Sequence, residues 1–308
     1  METIEMIGGY LASDIRMAAP ILLAGLGLLI INRSGLLNIG AEGTMLIATL
    51  AAVVGSYYTG SVWLGLLIAM GTGTLVGLLF AFLTVTLKAN QIVVGAAINI
   101  LGSGLSATLN RVIFGVNTTI ASIDTFVKWP IPFVHKIPLF GTAFFDQMPI
   151  VYIAFLLVPI ISYILFKTQV GLNLRAVGEN PRVADTLGIN VYRVQYFAAV
   201  IGSAIIAMGG AFLSTGLLNF FSEEMVSGRG YIALAAVIFG KYKPRGVMVA
   251  ALIFMAGNVA SNILQVAGAH IPYNFLVMVP YILTIIALAM FASRAVAPDS
   301  LGKPYKRG

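Results

Sequence analysis

The chain has 308 residues, of which 59% are hydrophobic and 9% charged, with a formal net charge of +7 and a mean hydropathy of +0.97. A soluble domain carries about 25% charged residues, so this sequence cannot cover a water-facing surface, and lipid must be the solvent for most of it. Cysteine is absent and only His135 and His270 occur, which excludes disulfides and thiolate chemistry and leaves too few ligands for a His-based metal site.

A membrane-crossing helix needs about 20 mostly apolar residues. The stretch 1–14 carries Glu2, Glu5 and Asp14 and no basic residue. It lacks the charged head of a cleavable signal peptide, so the apolar run 17–31 is expected to remain as a membrane helix. Further apolar runs follow at 45–58, 62–87, 92–109, 149–166, 194–218, 231–240, 247–266 and 275–292. Runs 17–31, 45–58 and 231–240 are short and flanked by glycine and polar residues, the pattern of broken or re-entrant helices. The sequence therefore predicts an all-α, polytopic transmembrane helix bundle of eight or nine membrane segments, in a single domain over 1–308.

The loops orient it. Basic residues gather in 167–193 (Lys167, Arg175, Arg182, Arg193), in 241–245 (Lys241, Lys243, Arg245) and in the tail (Arg294, Lys303, Lys306, Arg307). Positive loops stay in the cytoplasm, so these three segments share that side, and the net charge needs no nucleic-acid partner. The run 231–240 must then return the chain to the cytoplasm. Counting back places 111–148, with Lys136, and Glu223 outside, along with the N-terminus. The segment 111–148 holds Pro130, Pro132, Pro138 and several aromatics, and reads as an ordered external cap. Small residues crowd two spans: Gly71, Gly73 and Gly77 in one, Gly102, Ser103, Gly104 and Ser106 in another. They either bring helices together or expose backbone along a pathway, and packing is the usual role.

Three segments are too polar for their setting. In 32–43, NRSGLLNIGAEG, glycines around Asn38 and Ile39 allow a break in a helix, and Glu42 suits the first turn of the next one. The segment is either a discontinuous helix beside a substrate path or a plain turn. Glu42 either meets substrate or pairs with Arg33. In 171–188, GLNLRAVGENPRVADTLG, Asn180 is an N-cap, Pro181 a first helical residue and Gly188 a terminator. The helix 181–187 would be about 10 Å long, with Val183, Ala184 and Leu187 forming a small apolar face for a partner protein. In 228–246, GRGYIALAAVIFGKYKPRG, Gly240-Lys241 lacks the earlier glycine and following Ser or Thr of a phosphate loop. The chain has no nucleotide-hydrolysing motif of its own.

These segments, RSGLLNIGAEGTM, GLNLRAVGENPRVADTLGI and GRGYIALAAVIFGKYKPRG, resemble the permease subunits of bacterial ABC importers. The branch is the one for simple sugars, branched-chain amino acids and nucleosides. The similarity spans nearly the whole chain and is greatest to nucleoside permeases that work as pairs of unlike subunits. The resemblance implies a multi-pass protein of the bacterial cytoplasmic membrane that translocates solute by alternating access and is not itself an enzyme. It implies a second homologous permease, cytoplasmic ABC ATPases that bind ATP and Mg, and an extracellular substrate-binding lipoprotein or periplasmic protein. No cofactor is expected in this chain. The loop 171–188 would be the ATPase-coupling segment, with Arg175, Glu179, Asn180, Pro181, Ala184 and Gly188 as its candidate residues. Asp185 stands where Ala is common in the family, and Gln91 where Glu is common.

The spans hold no network of charges, so the expected substrate is neutral or nearly so. Asn38, Glu42, Asn90, Gln91 and Asn99 are the candidate pathway residues, with Asn110 further along. For Asn99 and Asn110 helix–helix bonding is the competing role. A sugar or branched-chain amino acid permease remains a second reading. A third is an ion-coupled secondary transporter, which usually keeps ionisable residues in its bundle; Glu42 is the one candidate here.

Overall fold

In a computed structural model the chain is described at residues 2–115, 122–130, 140–266, 278, 282 and 296–306. The elements are α1 (Glu2–Arg33), α2 (Ala41–Thr59), α3 (Val62–Ala81, continued by a π-turn Phe82–Thr86), α4 (Gln91–Phe114), α5 (Phe140–Phe144), α6 (Pro149–Lys167), α7 (Gln169–Glu179), α8 (Pro181–Thr186), α9 (Val191–Phe212, continued by a π-turn Leu213–Leu217), α10 (Arg229–Phe239) and α11 (Pro244–Val266). One short antiparallel pair joins β1 (Trp129–Pro130) to β2 (Asp146–Gln147), with Trp129 opposite Gln147.

The protein is an all-α membrane bundle, as expected, but the described residues contain six helices long and apolar enough to cross: Ile7–Arg33, Val62–Thr86, Gln91–Phe114, Pro149–Lys167, Val191–Leu217 and Pro244–Ser261. Eight or nine crossings are not reached among them. The run 275–292 apart from Met278 and Ile282, the loop residues Lys136, His135 and His270, and the tail residues Arg294 and Arg307 lie outside the described residues. One expectation changes for a physical reason. The run 17–31 is not a short helix, because α1 continues through Pro20 and the polar residues before it as one 32-residue helix. Asp14 and Ile15 are buried there, so packing outweighs the low hydropathy of that stretch. The run 231–240 forms a helix of 11 residues, about 16 Å long at 1.5 Å per residue. That is half a bilayer core of about 30 Å, so this helix is too short to cross alone.

The interior is built on α1, α2 and α9. Leu22, Leu26 and Leu29 of α1 and Ile206 and Phe212 of α9 are buried in the main core. A Cβ on Gly27 would overlap the carbonyl of Gly202, and one on Gly102 would overlap the backbone of Gly43. These glycines let α1 meet α9 and α4 meet α2 with backbones nearly touching, the packing role of small residues in lipid. Gly73 and Gly77 do the same against Ser203 and Ala207 of α9, whereas Gly71 and Gly104 face open space.

The basic segments gather at one end. The Arg33 guanidinium donates through Nε (3.0 Å) and Nη2 (2.7 Å) to the carbonyl of Tyr242, and Ser300 N–H donates to the carbonyl of Gly178 at 3.1 Å. The opposite end carries the cap. There Ile123 N–H bonds Asn219 O at 2.8 Å and Phe126 N–H bonds Thr215 O at 3.0 Å, and Lys128 pairs with Asp146 at 2.9 Å. The cap starts later than 111 because α4 runs on to Phe114.

Candidate functional site

After Arg33 the chain leaves the helix. Gly35 adopts φ +86°, the left-handed region open to glycine, and residues 36–39 run without helical structure to α2. Each backbone group freed at this depth needs a partner, and the candidate polar residues supply them. Asn38 Oδ1 accepts from Gly40 N–H at 2.8 Å. Gln91 Oε1 accepts from Leu37 N–H at 2.6 Å. Asn99 Oδ1 accepts from Gly43 N–H at 2.9 Å, while its Nδ2 donates to Ile39 O at 3.0 Å and to the Tyr231 hydroxyl at 2.9 Å. The break is therefore a helix interruption held by side chains, not a solvated turn.

Glu42 lies in the first turn of α2, directly after this interruption, and is 7% exposed. Its two carboxylate oxygens accept from the N–H groups of Gly228 and Gly230, each at 2.7 Å. Gly228 is the N-cap position of α10 and has no side-chain cap of its own. A carboxylate on these orphan donors satisfies them and meets the positive end of the helix. Two interrupted helices, α2 and α10, thus join N-terminus to N-terminus through one acid. The alternative partner, Arg33, lies elsewhere: it holds the turn after α10 through Tyr242. The Arg33–Glu42 pair, one of the two alternatives for Glu42, is not formed, because the backbone donors of α10 occupy the carboxylate.

A second feature runs outward from Asn99 along α4. The Ser103 hydroxyl donates to Glu224, and Arg111 forms a bidentate pair with Glu223, with Nη2 to Oε1 at 2.9 Å. Asn99 and Ser103 are four residues apart and so share a helix face. They lie about 12 and 18 Å from the start of α4, within the depth of a bilayer core. Tyr231 and Glu224 are exposed there. Lipid does not tolerate an exposed carboxylate and open backbone at that depth, so this face adjoins water or protein. From the sequence Ser103 is marked only as a small packing residue, Glu223 only as external and 228–246 only as a polar segment; Glu224 and Tyr231 are not singled out. The spacing of Asn99 and Ser103, and the adjacent acids 223–224 between apolar runs, were the available signals.

Of the candidate pathway residues, Asn38, Glu42, Gln91 and Asn99 gather around the interruption. Asn90 does not: it caps α4 at an exposed position, accepting from Ile92 N–H at 2.9 Å. At the basic end, Asn180 caps α8 by accepting from Val183 N–H at 3.2 Å, Pro181 opens it, and Gly188 takes φ +84° after it. Arg175 stacks its guanidinium 5.1 Å from the Phe166 ring centre, and Glu179 is exposed. The expected apolar face divides. Ala184 is 1% exposed and packs with Val177, Val191 and Tyr305, while Val183 and Leu187 are 52% and 75% exposed. Ala184 anchors α8, and the other two are exposed.

A helix bundle with paired interruptions at membrane depth, and a small capped helix at its basic end, defines an integral-membrane transport subunit. Among the described residues no cluster of three His, Cys, Asp or Glu is placed to hold a metal. The family described as branched-chain amino acid transport system / permease component matches residues 10–288, and the chain belongs to this family of ABC transporter permeases. It is 37% identical to the guanosine ABC transporter permease protein NupQ of Bacillus subtilis (strain 168), over 100% of this chain and 99% of that protein. It is 35% identical to the nucleoside ABC transporter permease protein NupC of Lactococcus lactis subsp. cremoris (strain MG1363), over 99% of each. It is also 26% identical to the guanosine ABC transporter permease protein NupP of Bacillus subtilis, over 97% of this chain and 85% of that one.

Proposed function

We propose that this chain is one transmembrane permease of an ATP-driven importer of nucleosides in the bacterial cytoplasmic membrane. The relatives named for guanosine and nucleosides, aligned end to end, support the substrate class. Two guanosine permease proteins from one organism, both similar to this chain, support pairing with a second, unlike permease. The remaining partners are cytoplasmic ABC ATPases, which bind ATP and Mg, an extracellular substrate-binding lipoprotein or periplasmic protein, and membrane lipid.

The observation that carries the reading is the polar strip of α4 at membrane depth, continuous with the Glu42 joint. Nucleosides offer hydroxyls, ring nitrogens and an aromatic face. Neutral hydrogen-bonding groups and Tyr231 along a watery path suit such a solute without holding it tightly. The basic end faces the cytoplasm by the positive-inside rule, with segment 167–193 inside and the cap within 111–148 outside. Counting α2 and α10 with the six long helices gives eight membrane segments, and the apolar sequence 275–292 is long enough for a ninth. In the cycle, ATP closes the ATPases, α8 moves with them, and the interrupted helices switch the side to which the path opens.

Single cysteines test the path, since the chain has none. Ser103→Cys should react with a water-soluble, membrane-impermeant thiol reagent and be protected by nucleoside. A residue that reacts only with lipid-soluble reagents would place this face against lipid and remove it from the path.

A further inference from the structure

Hydrogen bonds and close packing bind the C-terminal tail to two places at once. Toward the interruption, Gly302 N–H donates to the carbonyl of Gly35 at 3.0 Å, and Ser300 lies so close that a Cβ on Gly35 would overlap its hydroxyl. Toward the capped helix, the Ser300 hydroxyl donates to the carbonyl of Gly178, and its N–H reaches the same oxygen at 3.1 Å. The Tyr305 hydroxyl donates to Asp185 Oδ2 of α8 at 2.9 Å, and its ring packs with Val177, Ala184 and Val191 beside Tyr192. Gly178 itself has no room for a side chain against the carbonyl of Arg33. The tail, the end of α7, and the start of the interruption thus form one packed junction.

We propose that the tail is a strut that transmits movement of α8 to the interrupted helix, and that Tyr305 and Ser300 are positioning residues for coupled transport. The proposal rests on reading α8 as the ATPase-docking helix. A displacement of α8 carries Asp185 and the ring pocket of Tyr305. The turn at 298–303 is closed by Leu301 N–H to Pro298 O and Lys303 N–H to Ser300 O, each 3.0 Å. It passes that displacement to Gly35, the first residue of the non-helical stretch leading to Glu42. From Glu42 it reaches α10 through Gly228 and Gly230. A chain of contacts becomes a coupling route only if its members are energetically coupled, so the test is a double-mutant cycle.

The complete importer, with paired permease, ATPase and binding protein, is reconstituted in liposomes, and nucleoside uptake per ATP hydrolysed is measured. Tyr305→Phe keeps the packed ring and removes only the hydroxyl, and Asp185→Ala removes its acceptor. Each should lower uptake per ATP by about tenfold, the scale of one hydrogen bond to a charged group, and the double variant should be no worse than either alone. Ser300→Ala should lower the same ratio. If Asp185→Ala does not assemble, Tyr305→Phe and Ser300→Ala decide. A ratio within about twofold of the parent in both, well under the effect expected of that bond, overturns the strut. Cross-linking of Leu187→Cys to the ATPase runs in parallel. A cross-link with an unchanged ratio overturns the strut alone, whereas no cross-link in any form overturns the docking role of α8 and the strut with it.

Discussion

Replacing Glu42 by glutamine tests the joint between α2 and α10. The carboxylate accepts two backbone N–H groups at 2.7 Å, and each such charge-assisted bond contributes about 1.5–3 kcal/mol net. Glutamine keeps one oxygen, worth about 1 kcal/mol as a neutral acceptor. It turns an NH₂ donor toward the second N–H, which is left unsatisfied. The expected loss is about 2–5 kcal/mol, concentrated where two helix N-termini meet. The assay is thermal unfolding of the purified complex together with uptake. Glu42→Gln should lower both the melting temperature and transport. Adding Arg33→Gln should not restore either, because Arg33 is engaged by Tyr242 O. Parent stability and uptake in Glu42→Gln, or rescue by Arg33→Gln, would refute the joint.

Three further outcomes are expected. In intact cells an impermeant thiol reagent should label Glu223→Cys but not Lys243→Cys, and the reverse pattern would invert the orientation. Leu187→Asp should leave the permease as stable as the parent and abolish co-purification of the ATPase, since Leu187 is exposed; Ala184→Asp should instead unfold the basic end, because a carboxylate buried among Val177, Val191 and Tyr305 costs several kcal/mol without a partner. Gly102→Val should abolish accumulation of folded protein, read by size-exclusion profile, because its side chain would enter the backbone of Gly43, whereas Gly104→Val, facing open space, should be accepted.

Membrane residence, helical class and the grouping of basic loops follow from composition and charge, because lipid imposes those patterns on any chain that enters it. The cap of α8 was equally plain, since Asn180, Pro181 and Gly188 act through local backbone geometry. What sequence could not give were the long-range partners. Met17 marks the start of the apolar run, yet α1 begins fifteen residues earlier, and neighbouring elements bury or half-bury residues 10–16; Gln147, for example, donates to Ala12 O at 3.0 Å. Ala184, Val183 and Leu187 looked equivalent on a helical face until Tyr305, more than a hundred residues away, covered only one of them. The partner of Glu42 was hidden for a related reason. Its ligands are backbone N–H groups of two glycines, and no side-chain pattern announces them.

ATP-driven nucleoside import can be decided by a single uptake measurement. Proteoliposomes carrying this chain with its paired permease, ATPase and binding protein receive labelled guanosine, with ATP inside or absent, and with excess unlabelled nucleosides, glucose or leucine as competitors. Accumulation should require ATP, persist when proton and sodium gradients are collapsed, and fall only with competing nucleosides. Accumulation driven by an ion gradient without ATP, or competed by glucose or leucine in place of nucleosides, would contradict the account.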